Sequence, residues 1–312
     1  VAVAPVAVRL QETEEAGVTT DARLHRRPPC VGTGMEIVML TRSRGGARPP
    51  WGRYRGHGNR LCDAIERRGA QVLLWWDEHD EAPPLDGVTA ACLRSGSAVN
   101  LDRAHELVRR GIAVVNAPQP HTEAGDKWAT ACRFGAAGVP HPRTLPAWAS
   151  ADPQPFRTTV VKPRRGSGGR GVHLVGRDPL LVPRDSVLQE YVECAVDWRV
   201  VVAGGEAVAW MRRTPAPGDF RSNLAAGAQA ATVACPSEEL AALAVRAAAA
   251  MRLDVAGVDL ALGPDGPVVF EANPAPTTWM PDDTAADAVA DAIAAVVLGA
   301  ASRTGTPPRA TA

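Results

Sequence analysis

Lysine is almost missing from this 312-residue chain: of 34 basic residues, only Lys127 and Lys162 are lysines, and the rest are arginines. Aromatic residues are also scarce, with two tyrosines and four phenylalanines, so alanine and the aliphatics must supply most of the core. The formal net charge is zero, which removes the basic footprint of a nucleic-acid binder and the polybasic stretch of a peripheral membrane protein. The six cysteines (Cys30, Cys62, Cys92, Cys132, Cys194, Cys235) form no CxxC pair and no Cys/His cluster with zinc spacing. They read as buried free thiols in a reducing, cytoplasmic setting. No apolar run approaches the length of a membrane span, because Arg246 interrupts the alanine-rich stretch around it. Residues 1–34 lack the charged-then-apolar pattern of a secretory signal and read as a disordered extension, with the fold starting near Met35. Residues 301–312, rich in Thr, Pro, Gly and Arg, read as a disordered tail.

Between these tails, strand-like and helix-like segments alternate from Met35 to about Pro118. Strands are expected at 36–41, 71–76, 87–93 and 112–116, with helices at about 59–69 and 101–110. Short apolar strands separated by helices indicate a parallel α/β layer. The arginine-rich loop at 42–58 is either a basic surface for an anionic substrate or a solvated connection. Asp126 then reads as the N-cap of a helix ending near Gly138. A small β-rich unit follows from Thr158 to about Val192. A hairpin turns at Gly204-Gly205, an alanine-rich helix starts near Ser237, a second hairpin spans 257–273, and a closing helix covers about 284–298.

The lysines mark the first site. Lys162 ends the strand-like Thr158-Thr-Val-Val-Lys162 and opens Gly166-Ser-Gly-Gly-Arg-Gly171. A compact ammonium beside a glycine loop suits phosphate. The glycines match GxGxxG, but a dinucleotide fold needs a helix next, whereas Val172-His-Leu-Val175 is a strand. Kinases carry their lysine on the strand after the loop, and here it lies before. What remains is a hairpin whose tip can fold over phosphates, or a structural turn. Lys127, beside Asp126, is either a second phosphate ligand or a chance survivor.

The second site lies on the hairpin turning at Gly263-Pro-Asp-Gly266. With a three-residue loop, Asp259 sits directly opposite Glu271, roughly 5 Å apart at Cβ, and Asn273 shares that face. Two carboxylates and an amide oxygen are hard-cation donors, and magnesium fits best. The alternative is a solvated polar face on an antiparallel hairpin.

From Met35 to Gly299 the order of these pieces resembles an ATP-grasp ligase of the RimK type. The resemblance rests on Asn116 followed by Asp126-Lys127, on Val161-Lys-Pro163 with the glycine loop, and on Gln189-Glu-Tyr-Val192 with Asp197-Trp-Arg199. It extends through Gly218-Asp-Phe-Arg-Ser-Asn223 to Ala256-Gly-Val-Asp259 with Glu271-Ala-Asn273. It implies an α/β ATP-grasp fold, with an amino-terminal parallel α/β domain (35–118) and an ATP-grasp domain (119–300) whose small lobe covers about 140–192. That lobe is shorter than usual, with little room for helices after Pro146 and Gly176.

The resemblance also implies roles. Lys127 and Lys162 reach the ATP phosphates, and Gly166, Ser167, Gly168, Gly169 and Gly171 cover them. Gln189, Glu190, Tyr191 and Val192 frame the adenine, Glu190 and Val192 through backbone groups. Asp197 holds the ribose, with Arg213 also at the nucleotide. Asp259, Glu271 and Asn273 bind magnesium or manganese. Arg221 and Asn223 lie at the reacting carboxylate and the transferred phosphoryl group, and Arg94 faces the cleft from the amino-terminal domain. The implied activity is amide formation through an acyl phosphate, on an amino acid, peptide or natural-product precursor. Neither nucleic acid nor membrane is a partner, and a homo-oligomer is compatible. Two other readings fit the same residues: a nucleotide-binding module without ligase activity, and a phosphotransferase that stops at a phosphorylated product.

Overall fold

The structure, a computed structural model, describes residues 35–42, 51–54, 59–78, 80–150, 152, 155–175, 182–194 and 197–304. The expected disorder of residues 1–34 lies outside them. The first layer comprises β1 (Glu36–Thr41), β2 (Trp51–Arg53), α1 (Arg60–Arg67), β3 (Gln71–Trp76), β4 (Val88–Leu93), α2 (Ala98–Arg109) and β5 (Ala113–Val115). Its sheet runs β2-β3-β1-β4-β5 and is parallel apart from the edge strand β2. β1 is a continuous apolar run because both faces are covered. Ile37 and Met39 pack with α1 on one face, and Val38 and Leu40 pack with Ala104 and Leu107 of α2 on the other.

β2 corrects the reading of 42–58 as a loop throughout. Trp51–Arg53 pairs antiparallel with β3, and Gly52 sits where a Cβ would touch the Trp76 ring at 3.5 Å. The remainder of that segment lies largely outside the described residues.

Next come α3 (Pro118–Ala124), α4 (Lys127–Ala136), β6 (Thr144–Pro146), β7 (Thr159–Pro163), β8 (His173–Leu174) and β9 (Ser186–Glu190). The four strands make a small antiparallel sheet ordered β6-β9-β7-β8, with a core of little more than Val161, Val175 and Leu188. After Pro146 the described residues hold only a three-residue 3-10 turn, and the stretch directly after Gly176 lies outside the described residues. The chain closes with β10 (Asp197–Ala203), β11 (Glu206–Thr214), β12 (Gln229–Val233), α5 (Glu238–Ala250), β13 (Val255–Gly263), β14 (Gly266–Asn273) and α6 (Asp283–Thr304). These strands form an antiparallel sheet ordered β12-β11-β10-β13-β14. Ser237 caps α5 by accepting from Leu240 N, and Glu238 and Glu239 occupy its positive end.

α6 lies against both five-stranded sheets. Val289, Ile293 and Val297 share one core with Ile37 and Cys92 of the parallel sheet and with Val201, Met211 and Val255 of the antiparallel one. Arg60 meets Asp283 and Asp287 at 2.5 Å, and Arg68 meets Asp291 at 2.6 Å, joining α1 to the same helix. Two expectations are corrected here. Residues 301–304 are helical rather than part of a disordered tail, because Ala300 and Ala301 are buried and carry the helix on; residues 305–312 lie outside the described residues. In addition, Asp283–Arg303 has the length and hydropathy of a membrane span, yet its apolar face is the shared core. The cysteines also divide: Cys62 and Cys92 are buried, Cys194 is half-buried, and Cys132 and Cys235 are exposed.

Candidate active site

One face of the large antiparallel sheet changes character along its length. At one end Val201, Ala203, Ala209, Met211 and Val255 pack on α6. At the other, strand alternation carries Asp197, Arg213, Asp259 and Glu271 into a cleft facing the small lobe, with Arg199 on the same strand face. The opposite face is mostly apolar and rests on α5, with Arg212, Thr214 and Gln229 exposed at its edge. The charged residues are therefore mounted on strands whose other face and far end are core.

Asp259 does pair with Glu271, but not through a three-residue loop. Gly263 pairs with Gly266 across a two-residue turn, a register that would set Phe270 opposite Asp259. A bulge between Asp259 and Leu260 restores the Asp259–Glu271 pair. Without the bulge, the one-residue slip would send Glu271 to the α5 face. Asn273 then pairs with Gly257, and its Nδ2 donates to Glu271 Oε1 at 2.8 Å. Asn116, at the end of the first layer, fixes the base of both strands: its Nδ2 donates to Val255 O at 2.7 Å and to Pro274 O at 2.6 Å, and its Oδ1 accepts from Val255 N at 3.0 Å.

Acids and bases alternate across the cleft floor. Arg213 Nε donates to Asp197 at 2.7 Å, and its Nη2 lies 3.2 Å from Asp259. Arg199 grips Asp259 with both Nε and Nη2 and reaches to 3.8 Å from Glu271. Burial pushes the Asp259 carboxyl up, but Arg199 and Arg213 prevail and hold it well below the usual carboxylate range. Asp197 is raised by burial, against the pull of Arg213. Asp259, Glu271 and Asn273 suit a hard divalent cation: two carboxylates within hydrogen-bonding reach of each other plus an amide oxygen, with no softer ligand. Among the described residues there is no cluster of three or more His, Cys, Asp and Glu side chains competing for that role.

The lysines approach from two elements. Asp126 caps α4 by accepting from Trp128 N and Ala129 N, and it also meets Arg164 at 2.7 Å. This places Lys127 at the helix start, where its Nζ donates to Gly166 O at 2.9 Å. Lys162, on β7, sits 5.5 Å above the Phe270 ring. Burial lowers its pKa to about 8, Glu271 and Asp259 opposing and Lys127 assisting.

The glycine loop rests on the far side of the cleft. Arg221 donates to Gly169 O at 3.3 Å, and a Cβ on Gly169, whose φ is +70°, would lie 2.5 Å from Asn223 Oδ1. Gly169→Ala is accordingly expected to lower kcat/KM about tenfold, since left-handed backbone alone costs a β-carbon about 1–2 kcal/mol; unchanged steady-state kinetics would refute this lid contact.

Gly166, Ser167, Gly168, Gly169, Gln189, Glu190, Tyr191, Val192, Asp197, Arg213, Arg221 and Asn223 all line the same cleft as Lys127, Lys162, Asp259 and Glu271. Its volume is about 910 Å3 including solvent-open space. Gly171, Asn273 and Arg94 are not in its lining. Gly171 packs on Pro163, where a Cβ would stand 2.9 Å from Cγ, and Arg94 donates to Pro276 O three residues beyond Asn273. Glu190 N donates to Arg143 O at 2.8 Å, and its side chain forms a forked pair with Arg143.

Sequence reasoning left three residues without a role: Arg199, Asp219 and Phe270. Arg199 had a signal, since it lies two residues from Asp197 and therefore on the same strand face. Asp219, held to about pKa 2 by hydrogen bonds from Arg221, aims that arginine, and Phe270 supports Lys162.

Comparison with known proteins bears on the fold and the family. The RimK-like ATP-grasp domain family matches residues 155–297. A probable alpha-L-glutamate ligase of Xylella fastidiosa (strain M12) is 34 % identical over 244 residues, covering 72 % of this chain and 81 % of the relative. A RimK-domain ATP-grasp protein from Sphaerobacter thermophilus superposes with TM-score 0.61 at 22 % identity, covering 85 % of this chain and 100 % of the other. The ATP-grasp ligase PsnB, in complex with a minimal precursor, Mg and ADP, superposes with TM-score 0.60 at 17 % identity over 85 % of this chain and 97 % of that one. The chain belongs to the RimK-like ATP-grasp family of carboxylate–amine ligases.

Proposed function

We propose that this enzyme uses ATP and magnesium to join the amine of an α-amino acid to the carboxylate of an amino acid or peptide. One observation carries this reading: Lys127, Lys162 and the glycine loop face Asp259 and Glu271 across a single cleft. A carboxylate resists nucleophilic attack because it is already charged. Transfer of the γ-phosphoryl group converts it to an acyl phosphate, whose leaving group is inorganic phosphate. The amine then attacks the carbonyl carbon, the C–O bond to phosphate breaks, and an amide, ADP and phosphate result. Charge neutralisation and positioning are the protein's main tasks in such a transfer.

Lys127 and Lys162 take the phosphates from opposite sides, and the glycine loop closes over them. Gln189 to Val192 frame the base, with Asp197 and Arg213 toward the sugar. Arg221 and Asn223 stand where the phosphoryl group meets the carboxylate. Asp259, Glu271 and Asn273 would hold magnesium, which supplies charge neutralisation for the phosphates. Relatives named as alpha-L-glutamate ligases make L-glutamate the first amine to try.

The test is ADP release with a panel of acids and amines, glutamate included. Turnover that requires both an acid and an amine supports ligation. ADP release from an acid alone would replace it with a phosphotransferase reading, and tight ATP binding with no productive pair would leave a binding module.

Lys162 makes nucleotide affinity depend on pH. Its pKa of about 8 in the empty cleft means that it is cationic at pH 7 and mostly neutral at pH 9. Bound phosphates favour the ammonium, so above pH 8 binding must take up a proton, and the Kd rises by up to about tenfold per pH unit. An ATP analogue titrated at pH 7 and pH 9 without metal is expected to show roughly tenfold weaker binding at the higher pH. Equal affinities would place the phosphates away from Lys162.

A further inference from the structure

Asp259 draws its positive charge from inside the protein. Arg199 lies directly opposite it on β10. Its Nε donates to Asp259 Oδ1 and its Nη2 to Oδ2 at 2.7 Å, so one guanidinium covers both oxygens of the carboxylate. The backbone leaves room for this contact. Two residues before Asp259, β13 carries Gly257, where a Cβ would stand 3.2 Å from Arg199 Cδ and 3.3 Å from its Nη1. The other donors of the proposed metal site are engaged as well. Glu271 Oε1 accepts from Asn273 Nδ2 at 2.8 Å and lies 3.8 Å from Arg199 Nη2.

The charges around Asp259 are met without a metal. Three carboxylates, Asp197, Asp259 and Glu271, face four cations, Arg199, Arg213, Lys127 and Lys162. Neither guanidinium sheds its proton in a protein. In the empty cleft Arg199 would therefore compete with a divalent cation for the same two oxygens, inside a cluster that is already net positive. A nucleotide reverses this balance, because its phosphates bring negative charge to the lysines. The two arginines also differ in what holds them. Arg213 keeps Asp197 at 2.7 Å whatever becomes of Asp259. Arg199, among the described residues, has only the more distant Glu271 as a second carboxylate.

We propose that Arg199 is an internal counter-ion that holds the charge position of the metal in the empty cleft, so that a divalent cation is bound only together with a nucleotide. The inference rests on Asp259, Glu271 and Asn273 being the metal donors, and the test separates the two. The probe is Mn2+, whose free ion is counted by its EPR signal, added to the full chain with and without ADP. A guanidinium beside a carboxylate alters the proton affinity of that carboxylate about 10- to 1000-fold. Arg199→Gln is accordingly expected to tighten nucleotide-free Mn2+ binding at least about tenfold, and adding Asp259→Asn to it should remove the gain. Arg199→Lys, which keeps the charge but cannot cover both oxygens, should gain less. The metal-free Tm of Arg199→Gln should fall and be restored by Mn2+, while the nucleotide-free wild type does not respond. A purely structural arginine would not give that rescue, and it is readable even in a weakly folded variant. Nucleotide-free Mn2+ affinity in Arg199→Gln equal to or weaker than wild type would overturn the proposal. If Glu271→Gln leaves Mn2+ binding by the ADP complex unchanged, the donor set is wrong and the proposal falls with it. If that binding weakens while Arg199→Gln shows no gain, only the role of Arg199 falls.

Discussion

Lys162→Arg lowers kcat/KM by roughly 10²–10³-fold, the range seen when one preorganised charge-stabilising donor is lost, even though the positive charge is kept. The ammonium sits above the Phe270 ring with Glu271, Asp259 and Lys127 around it, and burial already pulls its pKa down to about 8. A guanidinium in this place cannot shed its proton, so its repulsion with Lys127 persists in the empty cleft. Its planar fork also matches a carboxylate far better than an ammonium does. Of the two carboxylates within electrostatic reach, Asp259 is already held by Arg199 and Arg213, and a fork between the introduced guanidinium and Glu271 would withdraw a proposed magnesium donor. The variant should therefore need more magnesium for half-maximal activity, whereas Lys162→Gln should lose activity without that shift. Steady-state kinetics across a magnesium series separates the two. Wild-type turnover in Lys162→Arg would remove Lys162 from the phosphate site.

Glu271→Gln produces the second large effect, and it divides activity from stability. Activity at saturating magnesium is expected to fall about a hundredfold or more, since one of two anionic donors becomes a neutral amide. Thermal stability without metal should hold or rise. Asp259 is buried and already paired with Arg199 and Arg213, whereas Glu271 adds a further negative charge within hydrogen-bonding reach of it. Removing that charge relieves repulsion with Asp259, which offsets the attraction lost to Lys162, Lys127 and Arg199, and it leaves every arginine of the cleft floor with a partner. Asp259 is the contrasting case, because removing it would strip buried Arg199 of its forked partner and leave Arg213 with Asp197 alone. Thermal melts with and without Mg·ADP test the point. A metal-free Tm well below wild type, or a full Mg·ADP-dependent rise in Glu271→Gln, would contradict it.

Much of this architecture was legible because local chemistry and tertiary packing agree. The apolar runs of β1, β3 and β4 and the caps Asp126 and Ser237 need no long-range knowledge. The Asp259–Glu271 pair was legible for a different reason than expected: a three-residue loop and a two-residue turn with a bulge give the same facing residues, and sequence does not separate them. Other features depend on contacts made far away. Ser302 and Arg303 have no helical pattern of their own, and the helix reaches them because Ala300 and Ala301 are buried under two sheets. β2 is set by its pairing with β3, which the arginine-rich stretch around Trp51 does not announce. Arg94 was expected to face the cleft, yet it spans the domains to Pro276 O, a partner 182 residues away.

The position of α6 determines how the enzyme can be cut and how it can move. The last helix of the chain supplies core to the first sheet, so a fragment ending near residue 282 would leave Ile37, Cys92 and Val115 facing solvent. The amino-terminal layer is therefore not separable as an expressible fragment, and a protease that removed α6 would unfold both ends of the protein together. The small sheet is the exception, with a core of its own and contacts to the rest through the glycine loop, Asp126, Lys162 on Phe270, and Tyr191 on Phe220. We expect any opening of the cleft to carry the sheet of β6 to β9 over a base that α6 joins into one body.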